Sequence, residues 1–155
     1  MYVGLVPRDL SADRLLRASA RLSRWATRHA SIDIPYAQAR LLALMDDLGP
    51  MRITALAEHD NTSQPTMTTQ VQRLVDQGWA RRQPDPVDAR ATLASLTPSG
   101  QRELDRLRAA REATLAPVLA RLHPTQRAAV PAAVAVLEAL LAAAADESTG
   151  TRQEA

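Results

Sequence analysis

Cysteine, lysine and phenylalanine are absent from the 155 residues, and glycine occurs only five times. Without cysteine the chain can form no disulfide, no thiolate zinc site and no thiol-based redox sensor. Aromatic residues make up 3% of the chain against 46% hydrophobic residues overall, so a core must be built from Leu, Val and Ala, a mixture that favours helices. So few glycines leave little material for a phosphate-cradling loop, and neither a nucleophile elbow nor a His-Glu-x-x-His pattern occurs. The acidic residues are scattered rather than paired, so no acid and base stand ready for hydrolysis and no enzyme is expected. His29, His59 and His123 lie in separate segments; only His59 has acidic neighbours, Glu58 and Asp60, and no metal or cofactor is expected from that set. Long apolar runs are also scarce. The Ala-rich stretch from Ala132 to Ala145 is interrupted by Glu138 and reads as too short to span a bilayer; with no signal peptide in view, a cytoplasmic protein without a membrane partner is expected.

The formal charge is only +2, so placement matters more than excess. All 19 basic residues are arginine, each a planar fork suited to phosphates and guanine edges. The length suits one small domain, or a small domain with helices that need a partner to cover them.

Between Leu10 and Ala30, Leu15, Ala18, Leu22, Trp25 and Ala26 recur at spacings of three and four, with Arg14, Arg17, Arg21, Arg24 and Arg28 on other faces. This predicts an amphipathic helix with Ser11 as its cap. Ile34-Pro35 opens a second helix to about Asp47, with Pro35 at the first helical position and Leu41, Leu42, Leu44, Met45 and Leu48 inward; Gly49-Pro50 closes it. Thr54 is expected to cap a short third helix ending near Asp60. Ser63 caps a fourth, with Pro65 in its first turn, Met67, Val71, Leu74 and Val75 inward, and Gly78 as the stop. Its outward face carries Gln64, Thr66, Thr69, Gln70 and Arg73. The pattern then shortens to alternation over 79–82 and 91–96, with Pro84, Asp85, Pro86 and Asp88 between, which predicts a hairpin with a charged tip. Thr97-Pro98 starts a long helix to about Leu122, and His123-Pro124 precedes a last one from Thr125 to about Ala145. Pro117 and Pro131 lie inside these helices and predict a kink or a boundary at each. Residues 146–155 read as a frayed tail.

Two short helices followed by a hairpin would place the fourth helix in a major groove, with half-sites about 10 base pairs apart for a dimer. Thr66 and Thr69 can reach base edges or thymine methyls, and Gln64 or Gln70 an adenine edge. Ser63 and Pro65 mark the N-terminal end of this helix, whose free amides would hold a phosphate. Arg52, Arg73, Arg81 and Arg82 are candidate phosphate contacts; the alternative for them is a solvated basic surface.

The same stretch resembles the MarR family of transcriptional regulators. Asp88-x-Arg90 followed by an apolar strand and Leu96-Thr97-Pro98-Ser99-Gly100 matches the family's wing, and Leu56-Ala57 and Leu74 to Gly78 fall in register with it. The resemblance covers about residues 10–145, with motif-grade similarity over 52–100. It implies a mainly α fold with a small β-hairpin wing: a winged helix-turn-helix over 35–99, dimerisation helices over 1–34 and 100–146, and a tail over 147–155. It gives Arg90 the role of entering a narrow minor groove, oriented by an ion pair to Asp88. Two departures stand out: Thr69 where the family often has Arg, and Ala89 where Arg or Lys is common. The resemblance further implies a homodimer on double-stranded DNA, released by a small aromatic or phenolic effector in a crevice that Trp25, His29 and Tyr36 could line, with Arg28 or Arg40 nearby. Trp25 and Tyr36 can equally be core or interface aromatics. The competing function is a winged-helix module that binds a protein through the fourth helix, which salt dependence distinguishes from DNA binding.

Overall fold

The computed structural model describes residues 12–88 and 90–150. In chain order the elements are α1 (Ala12–His29), α2 (Tyr36–Leu48), β1 (Met51–Arg52), α3 (Ile53–His59), α4 (Gln64–Asp76), β2 (Ala80–Pro84), β3 (Thr92–Leu96), α5 (Pro98–Ala120) and α6 (Pro124–Gly150). The expected fold class, helical with a hairpin wing, is the observed one. The chain divides into two compact units, one ending at Thr114 and one starting at Leu115.

In the first unit the inward faces follow the helical spacing. Leu41, Leu42 and Met45 of α2, Leu56 of α3, and Met67, Val71 and Leu74 of α4 are all under 2% exposed, and Ala80, Ala94, Leu104 and Leu107 join them. Each such large side chain contributes about 1.5–3 kcal/mol through removal from water. The strands form an antiparallel sheet in the order β1-β3-β2, with Met51 opposite Ala94, Arg52 opposite Leu93 and Ala80 opposite Leu96. The strand β1 was absent from the sequence reading. Two residues cannot display an alternating pattern, so only tertiary pairing defines it. Pro84 ends β2, an edge strand, where its missing N–H breaks no ladder bond.

Cap positions differ from expectation in two places. Pro35 is the N-cap of α2 rather than its first helical residue, with φ −57° and ψ 140°. Thr54 lies inside α3, and Arg52 occupies the N-cap without a side-chain bond, because β1 runs directly into the helix. The expected cap Ser11 lies outside the described residues.

The join between the sheet and α5 explains the Leu-Thr-x-x-Gly sequence. Thr97 Oγ1 donates to the Gly78 carbonyl at 2.6 Å and accepts from Gly100 N–H at 3.0 Å, so one hydroxyl ties the end of the α4 turn to the start of α5. Thr97 N–H also donates to the Trp79 carbonyl at 3.0 Å. A Cβ on Gly100 would lie 2.0 Å from that same carbonyl oxygen, so only glycine fits. Further along, α5 is bound to its unit through Arg106 to Asp33 and through Arg108 to Asp46 at 2.8 Å, while Glu103, on α5 itself, holds Arg106 in place.

Both prolines sit within continuous helices, Pro117 in α5 and Pro131 in α6, so of the two expected alternatives, a kink or a boundary, neither proline is a boundary. Both are exposed, so the carbonyls freed one turn earlier have access to water. The last helix also runs further than expected, to Gly150, and the remainder of the expected tail lies outside the described residues. Pro124–Ala145, 22 residues, is long and apolar enough to cross a membrane by length and composition, which corrects the reading of too short a run: one Glu does not interrupt a span of that length. Helices buried in soluble assemblies have the same composition.

Candidate nucleic-acid interface

Ser63 starts α4 by accepting from Thr66 N–H at 3.3 Å, and its hydroxyl also meets Thr66 Oγ1 at 2.8 Å. With Met67, Val71 and Leu74 turned inward, helical geometry leaves Gln64, Pro65, Thr66, Thr69 and Arg73 exposed, while Gln70 is half-buried. Thr69 Oγ1 donates to the Pro65 carbonyl at 3.0 Å, which leaves its methyl and lone pairs for an outside partner. This surface has no acidic residue before Asp76, and Asp76 accepts from Gln72 at 2.7 Å. A polar helix face with one arginine and no carboxylate before Asp76 suits base edges better than a protein's apolar groove.

The stop is Gly78, whose φ of 72° is accessible to glycine at no cost, and it delivers the chain into β2. Arg81 and Arg82 stand exposed on that strand; Arg81 Nε donates to Ser95 Oγ at 3.2 Å and Arg82 reaches the Thr68 carbonyl at 3.5 Å. Both guanidiniums keep unused donors.

The wing tip is built differently from expectation. Asp88 does not pair with the Arg90 guanidinium; Asp88 Oδ1 accepts from the Arg90 backbone N–H at 3.1 Å, and Oδ2 lies 3.6 Å from Arg52. The short turn favours the nearby amide, so Asp88 shapes the backbone while the exposed Arg90 side chain has no ion pair among the described residues. Asp85 is buried beside it. Asp85 Oδ2 receives Arg52 Nε at 2.8 Å and Nη2 at 2.7 Å, and Oδ1 receives Val87 N–H at 2.9 Å. These bonds, the amide first and the guanidinium second, hold its carboxyl below the ordinary value. Arg52 is thus engaged inside the wing, with its side chain 45% exposed. Nothing in the sequence alone joins residues 33 positions apart.

Between α4 and the wing lies a cleft of about 360 Å³ with Arg52, Thr54, Gln64, Arg90 and Thr92 in its wall. The leading residue of the recognition surface and the wing arginine therefore face one space.

Other concavities lie where α1 and the connection after it meet the start of α2. A crevice of about 420 Å³ is lined by Arg24, Thr27, Arg28, Ile32, Ile34, Tyr36 and Ala39, and a neighbouring one of about 230 Å³ shares Tyr36 and includes Arg40, Arg108 and Arg111. Tyr36 lines both crevices and Arg40 the smaller one. Trp25 and His29 are not in these walls: their rings stack with centroids 4.8 Å apart, and His29 Nδ1 lies 2.8 Å from the Trp25 carbonyl. Neighbours at this helical spacing cover each other, and the residues one step round α1 line the crevice instead. Arg28, one of the two cations expected near such a crevice, lines the larger one, and Arg24, which the sequence shows only as a surface charge of α1, stands beside it. Of the clusters weighed for a metal, no group of three or more ligating side chains is assembled among the described residues.

Comparison with known proteins agrees with this geometry. The family model described as MarR family matches residues 34–92. An HTH-type transcriptional regulator of Mycobacterium tuberculosis is 33% identical over 131 residues, covering 84% of this chain and 92% of the relative. Among solved structures, a transcriptional regulator from Thermotoga maritima superposes with a TM-score of 0.70 at 24% identity, covering 86% of this chain and 96% of its own. A MepR variant from S. aureus, solved bound to an oligodeoxyribonucleotide, superposes with a TM-score of 0.59 at 17% identity over 85% and 99% of the two chains.

Proposed function

The chain belongs to the MarR family of DNA-binding transcriptional regulators, and from that premise we propose that it acts in the cytoplasm as a homodimeric repressor on an inverted-repeat operator. In this reading α4 enters the major groove, with Gln64, Thr66, Thr69 and Gln70 on base edges and Arg73 on the backbone. Arg81 and Arg82 hold phosphates, and Arg90 enters the adjacent minor groove. The observation that carries it is the shared cleft, which sets the start of a polar, acid-free helix face beside an unpaired wing arginine. The S. aureus neighbour bound to DNA supports the same use of the fold.

Dimerisation is supported by apolar surface that has no cover among the described residues. Leu15, Leu16 and Leu22 of α1 and Val134, Val136, Leu137, Leu140 and Leu141 of α6 are all exposed. Monomeric proteins seldom leave such runs in water, and a second copy over residues 1–34 and 100–146 covers them. Release by an effector is supported by the crevice at Tyr36, whose apolar floor and arginine rim suit an aromatic or phenolic anion.

The test is selection of bound fragments from the source genome, followed by footprinting and sedimentation. Protection of a short inverted repeat by two protomers is the expected result. Failure to retain any fragment at low salt, with a protein ligand binding through α4 instead, would replace this reading with the protein-interaction module.

A further inference from the structure

Resting on the DNA-binding reading, we infer that Arg52 is the positioning residue of the wing: its guanidinium ties together the two carboxylates that fold the tip, and so fixes where Arg90 stands. Asp85 and Asp88 divide their oxygens in the same way. One oxygen of each accepts a backbone N–H of the tip, from Val87 at 2.9 Å and Arg90 at 3.1 Å. The other oxygen of each faces Arg52, at 2.7 Å for Asp85 and 3.6 Å for Asp88. The amide that Asp88 holds belongs to Arg90 itself, so the link from Arg52 to the minor-groove residue passes through a single side chain.

Arg52 is well placed for this. It lies on β1, paired to Leu93 of the middle strand β3, and the next residue of β3 is the buried Ala94. Its side chain reaches across to Asp85 just beyond the end of β2, bridging the sheet from one edge to the other. The tip has little else to locate it: Val87 is 92% exposed, and the loop is closed by Asp85 N–H to the Ala91 carbonyl at 3.0 Å and Ala91 N–H to the Asp88 carbonyl at 2.8 Å. Without Arg52, the buried Asp85 carboxylate loses its counter-charge and the tip must open to water.

The same charges argue against Arg52 as a phosphate contact. With its guanidinium already facing two carboxylates, Arg52 has little uncompensated charge to offer a phosphodiester. The expectation that Arg52 strengthens binding is kept, but the route is through the geometry of Arg90.

A double-mutant cycle on the full-length protein separates the two routes. Arg52→Ala and Arg90→Ala are measured alone and together on the operator, and on the same operator with A·T pairs beneath the wing exchanged for G·C. Arg52→Ala is expected to weaken binding about tenfold, to abolish the A·T preference beneath the wing, and to leave the penalties for major-groove mismatches unchanged. Adding Arg90→Ala to it is expected to cost no more than about twofold, because the contact is already lost. Arg52→Lys, which keeps the charge but not the fork, is expected to fall between wild type and Arg52→Ala, and Asp85→Asn to shift the A·T preference in the same direction as Arg52→Ala. These two variants carry the test if Arg52→Ala does not fold. Additive losses with the A·T preference intact overturn the inference and make Arg52 an independent backbone contact. A wild-type protein that binds no duplex at all overturns the DNA-binding reading itself.

Discussion

Replacing Gly100 with Ala probes the joint on which the winged unit and α5 meet. The added Cβ would stand 2.0 Å from the Trp79 carbonyl oxygen and 2.8 Å from its carbon, where ordinary contact begins near 3.4 Å. The obstacle is backbone, so rotation of a side chain cannot relieve it; the start of α5 or the Trp79 peptide must move by more than an ångström. Overpacking of this kind costs about 1–3 kcal/mol. The same carbonyl accepts Thr97 N–H, and the Thr97 hydroxyl bridges Gly78 and Gly100, so movement also weakens hydrogen bonds at about 1 kcal/mol each. Together the loss is about 2–5 kcal/mol, which for a chain of this length lowers the melting temperature by about 5–15 °C. The assay is thermal and urea unfolding of wild type and Gly100→Ala at one protein concentration, since the proposed association with a second copy would make melting concentration-dependent. A variant that melts within about 2 °C of wild type would mean that the joint is loose and that the close approach has no energetic weight.

Three further outcomes follow from other parts of the molecule. Ser63→Ala removes the α4 cap and is expected to cost about 0.5–2 kcal/mol of stability in urea unfolding while also weakening DNA binding, because the recognition surface begins at that turn. Leu137→Glu together with Leu141→Glu places charge on the uncovered α6 face and is expected to shift sedimentation from dimer to monomer; an unchanged dimer would place the interface elsewhere. Asp33, bonded to Arg106, and Asp85 both titrate below their ordinary value of 3.8 in the folded state. Between the folded and unfolded values the unfolded chain binds more protons, so the stability these carboxylates add is complete above the unfolded value and disappears as pH falls through the folded one. Unfolding measured from pH 6 down to about pH 2 should show that loss in wild type and less of it in Asp33→Asn.

The parts legible in the sequence are those whose determinants are local. The cap at Ser63, the turn at Gly78 and the inward series Met67, Val71 and Leu74 each depend on residues within one helix, so spacing alone locates them. The Leu-Thr-x-x-Gly sequence was legible as a motif, but its cause, a hydroxyl and a missing Cβ at the Trp79 peptide, is a tertiary contact. The strand β1 and the Arg52 to Asp85 pair were not legible, because both depend on the chain returning from more than thirty positions away. The Asp88 reading failed on a choice of partner: a guanidinium and an amide of the same residue compete, and the short turn decides for the amide. Trp25 and His29 illustrate a further limit, since two aromatic rings four residues apart on a helix can satisfy each other and leave a crevice to their neighbours.

The central claim is that one duplex meets α4 in its major groove and Arg90 in its minor groove at the same time. Dimethyl sulfate protection of the selected operator reads both, since guanine N7 lies in the major groove and adenine N3 in the minor groove. The account predicts protection of guanine N7 in each half-site and of adenine N3 beside it, with Arg90→Ala removing only the adenine protection. Protection at guanine alone in wild type, or loss of both sets in Arg90→Ala with the protein still bound and folded, would contradict it.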